Sequence, residues 1–185
     1  MTPQETVLYV FERLRPLRTK GDLGRAIASE VLCYTLHDLQ EVRGVLEADL
    51  RHLPPHYRRR LLPRMREQIF DAHHRLLVMA RNGSFSRLTD PLGEGWPDYC
   101  ERAEEACRGD GVLGNDPAHA LLYFLLSGFV MFVLEEPGHP VGTPFPGGFE
   151  VEKRDGVYYC PVRDRVEEVR VSICPWCPAV QTPGV

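Results

Sequence analysis

The chain has 185 residues, of which 43% are hydrophobic and 26% charged, the make-up of a globular protein long enough for one substantial core with an appendage. The formal net charge of -4 argues against a general nucleic-acid binder. The N-terminus opens on a capped polar helix instead of a basic run and an apolar block, so no secretory signal is visible; a cytoplasmic location is expected, and there six cysteines read as thiols or metal ligands before disulfides.

Thr2, Pro3 and Glu5 form a capping box with proline at the first helical position. A helix should start at once, carry Val7, Leu8, Val10, Phe11 and Leu14 on one face, and stop near Lys20 and Gly21. Asp22 is expected to cap a second helix through Tyr34. The run from Thr35 to Asp38 resembles another start, leading through Leu39, Val42, Leu46 and Leu50, although these two can also be read as one bent helix. Pro54 and Pro55 break the chain before an arginine-rich helix with Leu62, Met65, Ile69, Leu76 and Ala80 at bundle spacing, ended by Asn82 and Gly83. Pro63 either kinks this helix or marks its true start. His73 falls in its apolar stripe and reads as a hydrogen-bonded core residue, while His52, His56 and Arg58 to Arg60 read as surface. Residues 84 to 95 read as a loop, and Pro97 to Arg108 as an acidic helix closed by Gly109. Asp116 and Pro117 then launch the most apolar segment, Ala118 to Leu134. It contains His119 and Ser127 and sits at the short limit for crossing a bilayer, so it is expected to be the buried central helix and not a membrane span.

Charge is unevenly distributed. Residues 51 to 87 hold nine arginines against Glu67 and Asp71, and residues 88 to 136 hold ten acids against Arg102 and Arg108. The expectation is that the two segments pair within one domain. The alternative, an RNA surface on the first segment, predicts binding that falls steeply with salt.

After Glu135-Glu136-Pro137-Gly138 the character changes. Residues 138 to 148 form a glycine- and proline-rich loop. A hairpin follows, with 149 to 152 and 157 to 160 flanking Arg154-Asp155-Gly156, whose Asp-Gly supplies positive-φ turn positions. Residues 166 to 173 alternate valine with charge and suggest a third strand. The expected fold is therefore mainly α: a helical bundle over 1–137 and a small zinc-ribbon-like β appendage over 138–185.

Cys174 and Cys177 stand at the spacing that lets one turn chelate an ion, and Cys160 arrives from the hairpin. Zinc takes four tetrahedral sulfur or nitrogen ligands, and His139 is the nearest candidate for the fourth. An iron-sulfur cluster is the lesser variant. A redox role is disfavoured, because a redox Cys-x-x-Cys opens a helix and only eight residues follow Cys177. Cys33, Cys100 and Cys107 are expected to be small buried apolar side chains.

The segments His139-Pro-Val-Gly-Thr-Pro-Phe-Pro-Gly-Gly148, Gly156-Val-Tyr-Tyr-Cys-Pro-Val162 and Cys174-Pro-Trp-Cys177, with the Ser127 to Leu134 helix, resemble an archaeal domain-of-unknown-function family found chiefly in methanogens. The resemblance covers roughly 117 to 178 and implies lineage and a cytoplasmic location, but no activity. The leading expectation is a noncatalytic protein that engages a protein or nucleic-acid partner. The rival is a metal-dependent enzyme with an open site near Cys160, Cys174, Cys177 and His139. A homodimer through an exposed strand edge is a further expectation.

Overall fold

In the computed structural model, residues 1–109, 113–165 and 172–185 are described, residue 114 by its backbone alone. Helices start where local chemistry satisfies their free N–H groups. In α1, Pro3–Leu14, the Thr2 hydroxyl accepts from the Glu5 amide while the Glu5 carboxylate accepts from the Thr2 amide at 2.6 Å. Thr19 caps α2, Lys20–Val31, and Thr35 with Asp38 builds a second capping box at the start of α3, Leu36–Asp49. The first helix is shorter than its sequence suggests because Pro16 has no N–H to continue the ladder, and Leu8 on its expected inner face is 40% exposed. Residues 32 to 35 separate α2 from α3, so they are not one bent helix. The amides of Lys20 and Gly21 donate to the carbonyls of Asp90 and Leu88, at 3.0 and 2.9 Å, which pins the 84–95 segment across the start of α2. That segment holds a 3₁₀ turn at Ser84–Arg87 whose Phe85 is buried against Gly24, where a Cβ would meet the ring at 2.3 Å.

The arginine-rich stretch comprises α4, Pro55–Arg66, a π turn at Glu67–Asp71, and α5, Ala72–Arg81. Pro63 stands inside α4 and does not start it. No residue of α4 is buried; the helix seats itself further on, through Ile69 and Leu76. His73 is half-buried, and burial together with the neighbouring His74 pushes its pKa down.

Next comes α6, Trp96–Arg108, and then α7, Pro117–Gly128, capped by Asp116 and running into a second π turn, Phe129–Val133. Nine residues of α7 are buried, so it is the central helix, with roughly 1.5–3 kcal/mol from each fully buried large apolar side chain. Among the described residues no helix is long and apolar enough to cross a membrane. Trp96 stacks on Tyr99 with centroids 5.6 Å apart, and Phe132 packs edge-on to Trp96 at 5.0 Å and tilted to Tyr99 at 5.2 Å. The Trp96 indole donates to the Leu14 carbonyl at 3.0 Å, and the Tyr99 hydroxyl to that of Phe124 at 2.7 Å, so their polar atoms are satisfied in the core. Glu135, left-handed at φ 56°, ends the central helix and accepts from the buried Lys20 at 3.0 Å.

The two oppositely charged segments pair less than their composition suggests. Among the described ion pairs Arg75–Glu136 joins them, bidentate at 2.8 Å, whereas Arg60, Arg64 and Arg66 turn to Glu150, Glu67 and Glu47. Buried Glu104 accepts from Arg15 and Arg108 at 2.7 and 2.9 Å.

The C-terminal layer is a three-stranded sheet in the order β1, β2, β3. β1, Glu152–Arg154, pairs antiparallel with β2, Val157–Cys160, through a turn whose Asp155 and Gly156 both have positive φ. β3, Val180–Gln181, runs parallel to β2. The first strand begins later than expected, because Val151 is drawn instead into hydrogen bonds with Gly142 and Thr143. The third strand expected over 166 to 173 lies largely outside the described residues; β3 was not anticipated. Val151, Cys160, Ile173, Cys177 and Ala179 belong to the same hydrophobic cluster as the helices, so the layer is continuous with their core.

Candidate metal centre

Cys160 ends β2, Cys174 opens a 3₁₀ turn, Cys174–Trp176, and Cys177 follows it; all three are buried. Proline at the second position of the turn fixes its backbone, and the Cys177 amide donates to the Cys174 carbonyl at 3.0 Å. Arg163 ties the turn to the end of β2, donating to the carbonyls of Cys177 at 3.1 Å and Pro175 at 3.2 Å. On the opposite flank the Gln181 side chain donates to the Pro161 carbonyl at 2.9 Å and accepts from the Asp164 amide at 3.0 Å, while the Thr182 amide donates to the Cys160 carbonyl. Trp176 packs edge-on against Tyr99, centroids 5.4 Å apart, and fills the space beside Gly95, where a Cβ would lie 2.9 Å from its ring.

The thiols lie within electrostatic reach of one another. Burial pushes Cys160 up to about 11, with the charges of Cys177 and Cys174 acting in the same direction. Burial also raises Cys177. Opposing these shifts, backbone N–H groups donate to sulfur: Val162 to Cys160, and both Ala179 and Gly138 to Cys177. Such donors stabilise a thiolate without adding charge. Gly138 fits closely there, since a Cβ would come within 2.3 Å of Ile173 Cδ1 and that side chain would have to shift.

His139 stands apart from this electrostatic group. Its ring is edge-on to Phe145 at 5.9 Å, and desolvation alone accounts for a pKa lowered to about 4. Among the described residues no group of three or more His, Cys, Asp and Glu side chains stands ready to hold a metal ion. Cys160 and Cys177 are therefore held as thiols, their pKa values raised by burial and only partly offset by the amides, and an ion would have to displace their protons and draw the side chains together.

The other cysteines divide. Cys100 and Cys107 are buried, as expected, and burial raises both to about 12. Cys33 contradicts its expectation: it is exposed, because it falls in the break between α2 and α3 that the bent-helix reading removes. Sequence reasoning also missed a cleft of about 180 Å³ beside the candidate centre, where Gln68 and Asp71 of the first π turn face Val130 of the second, with Arg75, Glu136 and Tyr158 around them.

A model of the family described as "Uncharacterized protein conserved in archaea (DUF2115)" matches residues 19–182. The chain belongs to that family. Among DUF2115 relatives, it is similar to a UPF0305 protein of Methanothermobacter thermautotrophicus, 34% identical over 166 residues that cover 89% of this chain and 98% of the relative. It is also similar to UPF0305 protein MK0666 of Methanopyrus kandleri, 35% identical over 132 residues, covering 71% of this chain and 89% of the relative. A second Methanothermobacter thermautotrophicus UPF0305 protein is 26% identical over 164 residues. No solved structure matches this DUF2115 chain.

Proposed function

We propose that Cys160, Cys174 and Cys177 hold a structural zinc ion that staples the C-terminal layer to the helical body, and that the protein is a noncatalytic binding protein. The observation that carries this reading is the burial of Cys160 at the end of β2 and of Cys174 and Cys177 on one proline-fixed turn, with the backbone N–H groups of Val162, Ala179 and Gly138 opposing the rise that burial imposes on two of these thiols. The donor set fits the metal: soft sulfur ligands on a turn fixed by proline, with protons that an ion displaces on binding. His139 is the nearest candidate for a fourth ligand and would have to leave Phe145 to serve. The residues hold and orient; nothing in the arrangement calls for a reacting group beside them. A partner protein or nucleic acid would meet the rigid 138–148 loop and the layer.

Elemental analysis of the purified, untagged chain tests this. One zinc per chain, absent from a Cys174→Ser, Cys177→Ser double variant, is the expected result. A folded, metal-free protein after preparation with zinc supplied would overturn it, and iron with labile sulfide would replace it with a redox centre.

A further inference from the structure

Far from the thiols, a cleft of about 410 Å³ opens between α1, the end of α2 and the starts of α3 and α7. That volume is within the range of small-molecule sites. Its lining carries four carboxylates, on Glu30, Asp38, Glu41 and Asp116, against the amino-terminal residue Met1, with the Arg13 guanidinium over the ring of the lining residue Tyr9 at 5.3 Å. Two of these acids serve as helix caps, which occupies only one oxygen of each. Asp38 Oδ2 accepts from the Thr35 amide at 2.6 Å and from its hydroxyl at 2.7 Å, while Asp116 Oδ1 accepts from the Ala118 amide at 2.8 Å. Half-exposed Arg13 pairs with Glu30 at 2.7 Å, and no hydrogen bond or ion pair among the described residues engages the exposed Glu41. The apolar part of the wall is made by Val10, Leu121 and the rings of Tyr9 and Tyr34.

A second, independent observation is His119. It lines the same cleft and is only 7% exposed, its Nε2 stands 4.0 Å from Asp116 Oδ2, and its Nδ1 has no hydrogen-bond partner. Buried polar atoms in folded proteins are ordinarily paired, so an unpaired imidazole nitrogen beside a cleft marks a place where a ligand supplies what the chain does not.

With Glu30 held by Arg13 and one further carboxylate offset by the Met1 terminus, the carboxylates still outnumber the cations, and that balance disfavours an anionic ligand. The spacing argues against a bare metal ion, since among the described residues no three of these side chains can hold one. Carboxylates spread along an apolar floor suit charges spread along an apolar chain. We propose that this cleft binds a small linear organic cation, an aliphatic diamine or triamine, with its ammonium groups among Asp38, Glu41 and Asp116 and its methylenes on Val10, Leu121 and the Tyr34 ring. This site is independent of the metal proposal.

The test is titration calorimetry of the whole chain with 1,5-diaminopentane and spermidine, with pentane-1,5-diol as a neutral isostere and magnesium chloride as an ionic control. Saturable one-site binding of an amine, none of the diol, and weakening by roughly fivefold or more in Glu41→Gln are expected. Because Glu41 is exposed, the variant leaves the fold intact. Cys33 gives a second readout: it is exposed and lines the cleft, so amine occupancy should slow its alkylation by iodoacetamide with the same midpoint as the calorimetric curve. Absence of saturable heat, equal binding of the diol, equal affinity in Glu41→Gln, full displacement by magnesium, or an unchanged Cys33 rate would each overturn the proposal.

Discussion

Cys100 and Cys107 in the helical body and Cys160 and Cys177 in the C-terminal layer are the same residue buried to a similar degree, 0 to 9% exposed, yet they sit in different chemistry. The first pair share one face of α6 between apolar neighbours, and burial with the nearby Glu104 carboxylate drives their pKa values to about 12. The second pair lie at the ends of tight turns, where the backbone has spare N–H groups and aims them at sulfur. Burial raises the pKa in both pairs; in the layer the amides oppose that rise, which eases loss of the proton that the proposed metal would displace. The distinction belongs to the backbone, since a helix interior consumes its N–H groups in its own ladder and a turn does not.

The sharpest way to break this comparison is one substitution in each region. On the proposed zinc centre, Cys160→Ser should abolish zinc binding and lower stability by several kcal/mol, because the metal's binding energy would be folding energy. Cys100→Ser should leave the metal in place and cost about 1–3 kcal/mol for burying a hydroxyl where a thiol had stood. Zinc content and urea unfolding of both variants read this directly, and equal metal loss in the two would erase the distinction.

A smaller effect probes the amide donors without touching a sulfur. Gly138→Ala places a Cβ 2.3 Å from Ile173 Cδ1 and 3.2 Å from Met131 Sδ, at the residue whose N–H donates to Cys177. Accommodating it should cost about 1–3 kcal/mol, and the shift of the backbone should loosen the metal as well as the fold. Faster zinc transfer to a chelator in Gly138→Ala than in a body variant of equal stability is the expected outcome. Thr35→Ala is that body variant: loss of the capping box at α3 should cost about 1 kcal/mol in urea unfolding and leave the zinc transfer rate unchanged.

The sequence was most legible where the signal was local. The capping boxes at Thr2 and Thr35 and the Asp116-Pro117 start mark real helix starts, because a cap is written in four consecutive residues. The Asp155-Gly156 turn is readable for the same reason. The two π turns were not, since an extra residue per turn reflects how a helix is seated against its neighbours and leaves no local signature. Nor was β3, two residues long and paired only across the chain. At the candidate centre, the turn that carries Cys174 and Cys177 was readable from their spacing, but the amides that act on Cys160 and Cys177 belong to Val162, Ala179 and Gly138, which are chosen by the path of the backbone. The acidic cleft gathers residues from four helices far apart in sequence, and two of its acids had already been read as caps, so nothing along the chain drew them together.

The smallest expected effect concerns His73, which contrasts a titrating group in the helical body with the thiols of the layer. Its pKa is depressed below the ordinary value of 6.5, first by burial and then by His74, so the folded state favours the neutral imidazole. Between its folded and unfolded pKa the unfolded chain holds more protons than the folded one, and stability rises with pH through that window. The contribution is fully present above about 6.5 and is lost as the pH falls toward the folded value. His73→Leu should therefore flatten the dependence of the urea midpoint on pH below about 6.5. Other histidines, including the strongly depressed His139, are common to both proteins and cancel in the difference. Parallel pH profiles for wild type and His73→Leu would mean that the half-buried ring is solvated as freely in the folded body as in the unfolded chain.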